Sequence, residues 1–324
     1  MSAASRNHVL ALSGGVGGAK LAHGLLQALP ADSLSIVLNT GDDFEHLGLH
    51  ISPDIDTALY TLAGLANPLT GWGRRDETWT FMQALAQLGG ETWFQLGDGD
   101  LAMHVERTRR RAGGESLTRI VADFAQHLGI RARLLPMSDA PVRTRAITDE
   151  GEFDFQDYFV RLKCAPRIRS IRFLHAEAAH PSPAIGTVLN SPGLEAIVVC
   201  PSNPYLSIDP ILAVPGMREA IRAAGVPVVA VSPIIAGEAV KGPTAKIMGE
   251  LGRPASATEV ARHYSGLIDG FVLDCRDSGL ADTMECPVHV CDTLMRTESD
   301  RLRLAGETLR FARSLSATRG VKRS

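Results

Sequence analysis

The fold of this chain is decided by one stretch near its start, Leu12-Ser13-Gly14-Gly15-Val16-Gly17-Gly18-Ala19-Lys20. The residues before the glycines, His8–Leu12, form a short apolar run, which is typical of a buried strand that ends in a tight turn. The residues after them, Ala19–Leu29, have leucines at helical spacing and are followed by Pro30. The stretch therefore joins a predicted strand to a predicted helix.

A second apolar run, Leu34–Leu38, follows and closes with Asn39-Thr40-Gly41-Asp42-Asp43. Similar strand-like runs, each followed by a polar turn, return in the second half of the chain at Ala196–Cys200 and Val226–Val231. Strand–helix–strand repeats predict parallel strands joined by right-handed crossovers. We predict a Rossmann-like α/β fold, an open parallel sheet with helices on both faces, in which ligands bind beyond the carboxyl ends of the strands.

The middle of the chain lacks this rhythm. Helical runs are followed there by extended segments such as Arg143–Thr148. We predict an insertion of helices and a small β part, which forms the acceptor or lid region. The predicted division is a nucleotide-binding core over 1–69 and 193–310, the insertion over 70–192, and a flexible tail over 311–324.

The overall charge argues against one class of function. The net charge is −3 and the isoelectric point is near 6.4, whereas proteins that grip nucleic-acid backbones are usually basic. The densest basic run, Arg107 with Arg109-Arg110-Arg111, is interpreted as a solvated helix face. We expect no nucleic-acid partner, while a small anionic ligand stays possible.

The cysteines and the lack of a long apolar run indicate the compartment. The five cysteines are odd in number and show no CxxC spacing, so we expect reduced thiols and neither a zinc site nor disulfides. No apolar run approaches the ~20 residues of a membrane helix, and Met1–Asn7 lacks an apolar signal core. The expected location is the cytoplasm, with no membrane partner.

The glycine stretch is a candidate phosphate site. Glycines let the backbone approach a ligand closely, and a helix N-terminus presents free N–H groups to an anion. It matches neither common nucleotide motif, because Ala19-Lys20-Leu21 replaces the Gly-Lys-Ser/Thr of a P-loop and the pattern G-x-G-x-x-G is absent. Four glycines exceed what a turn needs, which favours phosphate contact, and a turn that only packs is the alternative.

Acidic residues follow the glycine stretch in two turns. Asp42 and Asp43 come after the second predicted strand, and Asp54 and Asp56 lie in Ile51-Ser52-Pro53-Asp54-Ile55-Asp56-Thr57. Mg²⁺ is bound in proteins by one or two carboxylates with waters and substrate phosphates, so this set suits it. Aspartates in the first turn of a helix are also common caps. The spacing does not decide between the two interpretations.

Three further segments carry side chains that suit ligands. Gly71–Trp79 holds two tryptophans beside Arg74-Arg75, and aromatic rings and guanidinium groups stack on flat heterocycles, although Trp79 could equally be core. The acidic turn 96–100 precedes His104, which with His46 and His50 could be a ligand or base, or simply structural. The rigid turns after the later strands could bind a nucleobase or phosphate, and they are Pro201-Ser202-Asn203-Pro204 and Ser232-Pro233-Ile234-Ile235.

Together these segments resemble the 2-phospho-L-lactate transferase (CofD) family, in order, over most of the chain. The matching pieces are Leu12–Lys20, Asn39–Asp43, Ile51–Thr57, Gly71-Trp72-Gly73 with Glu77-Thr78-Trp79, Leu96–Asp100, Leu135–Asp139, Pro201–Pro204 and Ser232–Gly237. One departure is Gly99, where many members carry a basic residue.

The resemblance implies a reaction. In that family the ribityl alcohol of 7,8-didemethyl-8-hydroxy-5-deazariboflavin attacks a phosphoryl group of lactyl- or enolpyruvyl-diphosphoguanosine and GMP leaves, as a step of deazaflavin coenzyme biosynthesis. Phosphoryl transfer depends mainly on positioning and on neutralising charge, which suits a glycine turn, Mg²⁺ and aspartates. The expected partners are a guanosine-diphosphate-linked three-carbon acid, the deazariboflavin acceptor and a second copy of the chain in a homodimer.

Site residues follow from the same resemblance. We expect Asp43 and Asp56 to be catalytic and to hold Mg²⁺. The donor nucleotide is expected at Gly14, Gly15, Gly17, Gly18, Lys20, Ser202, Asn203, Ser232 and Pro233. The acceptor is expected at Asp56, Trp72, Arg75, Trp79 and Asp98.

Two other functions compete with this one. Regulatory relatives with the same core resemble the chain at the glycine turn and are thought to bind nucleotide sugars without turnover, although Asp56 and the Trp72–Trp79 segment favour the transferase. A nicotinamide dehydrogenase would share the fold class, but G-x-G-x-x-G is absent. No residue indicates whether the transferred acid is of the lactate, enolpyruvate or glycerate type.

Overall fold

The computed structural model describes residues 7–68, 70–240 and 242–321, with side chains described as far as residue 317. The strands are β1 (His8–Ser13), β2 (Leu34–Leu38), β3 (Phe44–His46), β4 (Leu49–Ile51), β5 (Arg133–Pro136), β6 (Arg143–Thr148), β7 (Glu152–Asp154), β8 (Ile168–Leu174), β9 (Leu194–Val199), β10 (Val228–Val231), β11 (Ile234–Ile235), β12 (Glu238–Ala239), β13 (Gly270–Asp274) and β14 (Val288–Cys291).

The α-helices alternate with these strands. They are α1 (Gly15–Ala28), α2 (Pro53–Leu62), α3 (Thr80–Gln87), α4 (Asp98–Ala112), α5 (Leu117–His127), α6 (Pro183–Leu189), α7 (Asp209–Ala213), α8 (Met217–Ala223), α9 (Thr244–Glu250), α10 (Ala257–His263) and α11 (Glu298–Val321). Short π-helical turns cover Asp157–Arg161 and Pro204–Ile208, and 3₁₀ turns cover Ala176–Ala178 and Cys275–Thr283.

A seven-stranded parallel sheet forms the centre, in the order β14-β13-β10-β9-β1-β2-β5. In β1, Leu12 pairs with Val37 on one side and with Val199 on the other. Strands β2 and β10 are buried along their whole length, as expected where helices cover both faces of a parallel sheet. The predicted Rossmann-like α/β fold is confirmed.

Successive side chains of β1 enter two different cores, because neighbours in a strand point to opposite faces. Leu10 and Leu12 belong to the core that helices α6, α7, α8 and α10 cover. Val9 and Ala11 belong to the core that helices α1, α2, α5 and α11 cover. All parallel strands end on the same edge of the sheet, so the turns that follow them can meet in one place.

The segment predicted as an insertion, 70–192, is not a structural unit separate from the central sheet. Strand β5, inside 70–192, pairs with β2 as the edge strand of the central sheet, and Val121 of α5 lies in the same core as β1. The physical reason is that α5 and β5 continue the helix–strand repeat, so their apolar side chains can be buried on the existing sheet. The predicted small β part exists as the antiparallel sheet β7-β6-β8.

The predicted flexible tail is also corrected for residues 311–315. Helix α11 continues through them, and Phe311 and Leu315 pack against the core that contains β1. The apolar spacing of these residues allows helix α11 to bury them, although the surrounding composition is polar. Residues 322–324 lie outside the described part of the chain, and within that part we find no helix long and apolar enough to cross a bilayer.

Candidate active site

A cavity of about 800 Å³ opens at the carboxyl edge of the central sheet. The turns after four neighbouring strands, β10, β9, β1 and β2, all contribute to its wall. Their lining residues include Pro233, Ser202, Gly14 and Asp42. This is the position at which open α/β sheets bind ligands, and the sequence predicted it.

Several glycines are required by packing around this cavity. Ser202 Oγ donates to the Gly14 carbonyl oxygen at 2.8 Å and accepts from the Gly14 N–H at 3.2 Å. A Cβ at Gly14 would lie 2.6 Å from Asp54 Oδ2, and one at Gly17 would overlap the Pro201 carbonyl oxygen. The turn therefore packs tightly and also lines the cavity, so the two interpretations of the glycines are not exclusive.

Gly18 is the one predicted donor residue outside the cavity lining. A Cβ there would lie 2.5 Å from both Ser13 Oγ and Ser202 Oγ, which explains the glycine by packing alone. Contact of Gly18 with the donor stays a prediction. Helix α1 begins at Gly15 with a left-handed φ of 64°, and its first turn borders the cavity.

The other predicted donor residues lie around this helix start. Lys20 borders the cavity and donates from Nζ to the Met295 carbonyl oxygen at 3.0 Å. Asn203 Oδ1 accepts from the Tyr205 N–H at 3.0 Å, and its Nδ2 is buried with no hydrogen-bond partner among the described residues. A helix N-terminus beside a lysine suits an anion, and the unpaired amide N–H suits an acceptor on a ligand.

Four buried aspartates stand next to the glycine turn, and Asp54 holds it. Asp54 Oδ1 accepts from the Gly15 N–H at 2.7 Å, and Oδ2 accepts from Asn39 Nδ2 at 2.9 Å. Burial raises the pKa of the Asp54 carboxyl to about 6 despite these two donors. Asp54 is thus a structural cap of the turn and a cavity residue at once.

Asp42 and Asp43 each keep one oxygen free. Asp43 Oδ2 accepts from Ser52 Oγ at 2.9 Å and lies 3.1 Å from His50 Nε2, whereas Oδ1 of both aspartates is buried without a hydrogen-bond partner among the described residues. Burial, together with the Asp54 charge, raises the pKa of Asp42 well above its ordinary value. Asp42 lines the cavity and Asp43 lies behind its lining.

Asp56 belongs to a buried network with helix α4. Both of its oxygens accept from Arg107, with Nη1 to Oδ2 at 3.2 Å and Nη2 to Oδ1. His104 Nδ1 lies 3.7 Å from Asp56 Oδ2, and His104 Nε2 lies 3.1 Å from Asp100 Oδ2. Tyr60 donates to Asp100 Oδ1. Burial raises the pKa of Asp56, and the Arg107 charge opposes that rise.

Arg107 corrects the interpretation of the basic run as a solvated face. Its side chain is fully buried, whereas Arg109 is exposed and pairs with Glu106. The available signal was the spacing of Asp100, His104 and Arg107, which puts three polar side chains on one face of a helix.

These carboxylates fit a divalent cation. The orphan oxygens of Asp42 and Asp43 are buried, and a carboxylate buried without a partner is costly unless a cation neutralises it. Asp56, Asp100 and His104 also hold ligand atoms within 4.8 Å of one another, but Arg107 already neutralises Asp56 there. Asp42 and Asp43 each keep one oxygen available to a cation, whereas both oxygens of Asp56 accept from Arg107.

The apolar wall of the cavity comes from segments that the sequence did not single out. Trp93, Phe94, Phe155 and Phe159 line it together with the predicted Trp72. Trp93 and Phe94 come before helix α4, while Phe155 and Phe159 follow strand β7, so only the tertiary structure brings them together.

Three predicted acceptor residues, Arg75, Trp79 and Asp98, lie outside this lining. Asp98 accepts from the Thr80 and Phe81 N–H groups at 3.0 Å each, and so serves the start of helix α3. Arg75 is exposed beside Asp76, and Trp79 precedes helix α3.

Local packing explains why residue 99 is a glycine. Its N–H donates to Glu77 Oε2 at 2.7 Å, and a Cβ there would collide with the Arg74 guanidinium. Arg74 thus occupies the space that any Gly99 side chain would need.

Comparison with known proteins agrees with this geometry. A sequence profile of the family described as 2-phospho-L-lactate transferase CofD matches residues 9–303. The chain belongs to the CofD family. It is therefore an enzyme, a transferase of the CofD type, and the resemblance seen in the sequence is confirmed.

Individual relatives cover nearly the whole chain. A Streptomyces griseus protein named phosphoenolpyruvate transferase is 41% identical over 318 residues, which is 95% of this chain and 99% of the relative. A Methanospirillum hungatei 2-phospho-L-lactate transferase is 38% identical over 300 residues, covering 92% and 98%. A Bacillus halodurans UPF0052 structure shares the fold, with a TM-score of 0.63 at 17% identity over 94% of this chain and 99% of that one.

Proposed function

We propose that the protein transfers a phospholactate, phosphoenolpyruvate or related group from a guanosine-diphosphate-activated donor to 7,8-didemethyl-8-hydroxy-5-deazariboflavin. GMP is released, in deazaflavin coenzyme biosynthesis. The observation that carries the proposal is the composition of one cavity, which joins a helix start and Lys20, a group of buried aspartates and an aromatic wall. Relatives named for transfer of phosphoenolpyruvate and of 2-phospho-L-lactate support the class of group transferred.

The donor diphosphate is assigned to the start of helix α1 and Lys20, because backbone N–H groups and an ammonium neutralise phosphate oxygens. The guanine is assigned to the turns at Ser202-Asn203 and Ser232-Pro233, which line the same cavity. The unpaired Asn203 Nδ2 is a donor for a base carbonyl oxygen. We expect GDP to bind more tightly than ADP in a calorimetric titration, and equal affinities would remove the guanine assignment.

Mg²⁺ is assigned to the aspartates. Asp43 is assigned as a ligand because its Oδ1 has no hydrogen-bond partner among the described residues, and Asp42 is assigned for the same reason. Asp56, which lines the cavity and pairs with Arg107, stays a candidate ligand. When bound, the ion neutralises charge on the transferring phosphoryl group.

The deazaflavin is assigned to the aromatic wall of Trp72, Trp93, Phe155 and Phe159, because its flat ring needs apolar faces on both sides. Its ribityl alcohol is placed near Asp56, which accepts the alcohol hydrogen bond and orients the oxygen. In the transfer, that oxygen forms a bond to phosphorus, the bond from phosphorus to GMP breaks, and the alcohol proton passes to a carboxylate of the cluster. Positioning of this kind brings the reacting atoms to about 3–3.5 Å.

The test is an incubation of the protein with the deazaflavin, Mg²⁺ and competing lactyl and enolpyruvyl donors, with mass spectrometry of the product. We expect a phosphodiester product and GMP. The donor that is used preferentially identifies the three-carbon acid that the enzyme transfers. Tight binding of nucleotide without turnover with any donor would favour a nucleotide-sugar-binding regulator. We also propose that the protein is a cytoplasmic homodimer. Light scattering after size exclusion tests the oligomeric state.

A further inference from the structure

One face of helix α4 borders the cavity, where Asp100 and His104 line it, and continues into the interior at Arg107. Asp100, His104 and Arg107 follow one another at spacings of four and three residues, which aligns them along the helix. His104 and Arg107 are buried, at 1% and 0% exposure. The other arginines of the helix do not share this burial, and Arg109 is 69% exposed in its side chain.

Arg107 contacts helix α2, which carries the predicted catalytic Asp56, and strand β4, whose His50 contacts the predicted catalytic Asp43. Its guanidinium binds both oxygens of Asp56 on helix α2, and Nη1 also donates to the His50 carbonyl oxygen at 3.3 Å. The ring of His50 reaches Asp43 at 3.1 Å, and the His50 N–H donates to Thr108 Oγ1 at 2.8 Å. Helix α4 thereby joins strand β4 and helix α2 at adjacent residues.

A buried ion pair of this kind contributes little net stability to a fold, because both charges must lose their hydration. A guanidinium and a carboxylate lose their hydration on burial, and well-packed apolar side chains often stabilise a fold as well as a buried ion pair. A planar guanidinium group that binds both oxygens of a carboxylate fixes the plane of that carboxylate, which apolar side chains cannot do. The rotamer of Asp56 is thus determined by Arg107.

We propose that Arg107 is a positioning residue, which holds the Asp56 carboxylate in one orientation and, through the His50 carbonyl, at a set distance from Asp43. The inference rests on the proposed function, since it concerns the two carboxylates assigned there to metal and acceptor. Arg107 is fully buried and lies outside the cavity lining. It acts through the aspartates.

The experiment compares Arg107→Lys, which keeps the charge and loses the fork, with Arg109→Lys on the exposed face as a matched control. Mn²⁺ binding is measured by electron paramagnetic resonance without substrates, and kcat, donor KM and Tm are measured separately. For Arg107→Lys we expect Mn²⁺ to bind about tenfold more weakly and kcat to fall about 10- to 100-fold, with donor KM within about twofold. Arg109→Lys should match the wild type in all of these.

A purely structural role for Arg107 predicts a different result: Tm falls, but Mn²⁺ affinity and kcat are normal when they are measured at temperatures well below that Tm. This result would overturn the inference. If Arg107→Lys does not fold, the neutral pair Asp56→Asn with Arg107→Gln is compared with Asp56→Asn alone. Positioning through Asp56 predicts no further loss of kcat in the double variant, and an additive loss contradicts it. Failure of the wild type itself to bind Mn²⁺ or to turn over would count against the proposed function instead.

Discussion

Replacement of Gly14 by alanine tests the link between the glycine turn and the acidic cluster. The added Cβ would lie 2.6 Å from Asp54 Oδ2 and 2.6 Å from Ser207 Cβ. Carbon atoms pack at about 3.5–4.0 Å, so the turn must move by roughly 1 Å. The backbone of Gly14 is extended, with φ of −152°, so the effect is steric and does not come from a forbidden conformation.

The expected cost follows from overpacking a buried site, about 1–3 kcal/mol of the free energy of unfolding. In a chain of this size that lowers Tm by about 2–6 °C. The shift also pulls Asp54 from the Gly15 N–H, whose bond of 2.7 Å fixes the helix start. We expect GDP affinity to fall about tenfold, which equals about 1.4 kcal/mol.

Differential scanning fluorimetry and calorimetric titration with GDP measure the two effects. Gly306→Ala in helix α11 is the control, because a Cβ there meets nothing within 4 Å. Removal of a helix glycine should stabilise that variant by about 0.5–1 kcal/mol and leave GDP binding unchanged. Wild-type Tm and GDP affinity in Gly14→Ala would refute the reasoning.

Three further predictions concern the aspartates and the aromatic wall. In metal-free protein the pKa of Asp54, raised to about 6 by burial, means that the folded state binds the proton more tightly than the unfolded chain does. The Asp54 contribution to the free energy of unfolding should therefore fall as pH rises from about 4 to 6 and then level off. Asp54→Asn should reduce that slope in urea titrations, and an unchanged slope contradicts the assignment. Trp72→Leu should weaken deazaflavin binding about tenfold at unchanged GDP affinity, as loss of one aromatic contact implies. Trp79→Leu, outside the lining, should change neither affinity, and equal losses in both variants would reject the placement. Asp56→Asn should remove most turnover and lower Tm while the protein still folds, because the buried Arg107 charge loses its carboxylate partner. A near-normal rate at limiting Mg²⁺ would refute its catalytic assignment.

Local patterns in the sequence were sufficient for the centre of the fold. The apolar run before the glycines became β1, the leucines after them became α1, and Leu34–Leu38 became β2 with the predicted bounds. These elements depend on the spacing of apolar residues within a short stretch of sequence, so each stretch indicates its own secondary structure. The topology rule then placed the turns after β1, β2, β9 and β10 around one cavity, which the structure contains.

The tertiary structure alone decided which side chains face that cavity. Arg107 lies in a run of arginines that looks solvated, and its burial depends on Asp56, which is 51 residues away in the chain. Phe155, which follows strand β7 of the small antiparallel sheet, joins Trp93 at the apolar wall although the two residues are far apart in the sequence. Asp98 instead accepts hydrogen bonds at the start of helix α3, and Trp79 is the residue that precedes this helix. Periodicity indicates which face of an element is buried, but the neighbour that covers it depends on long-range packing, and that packing determined the site.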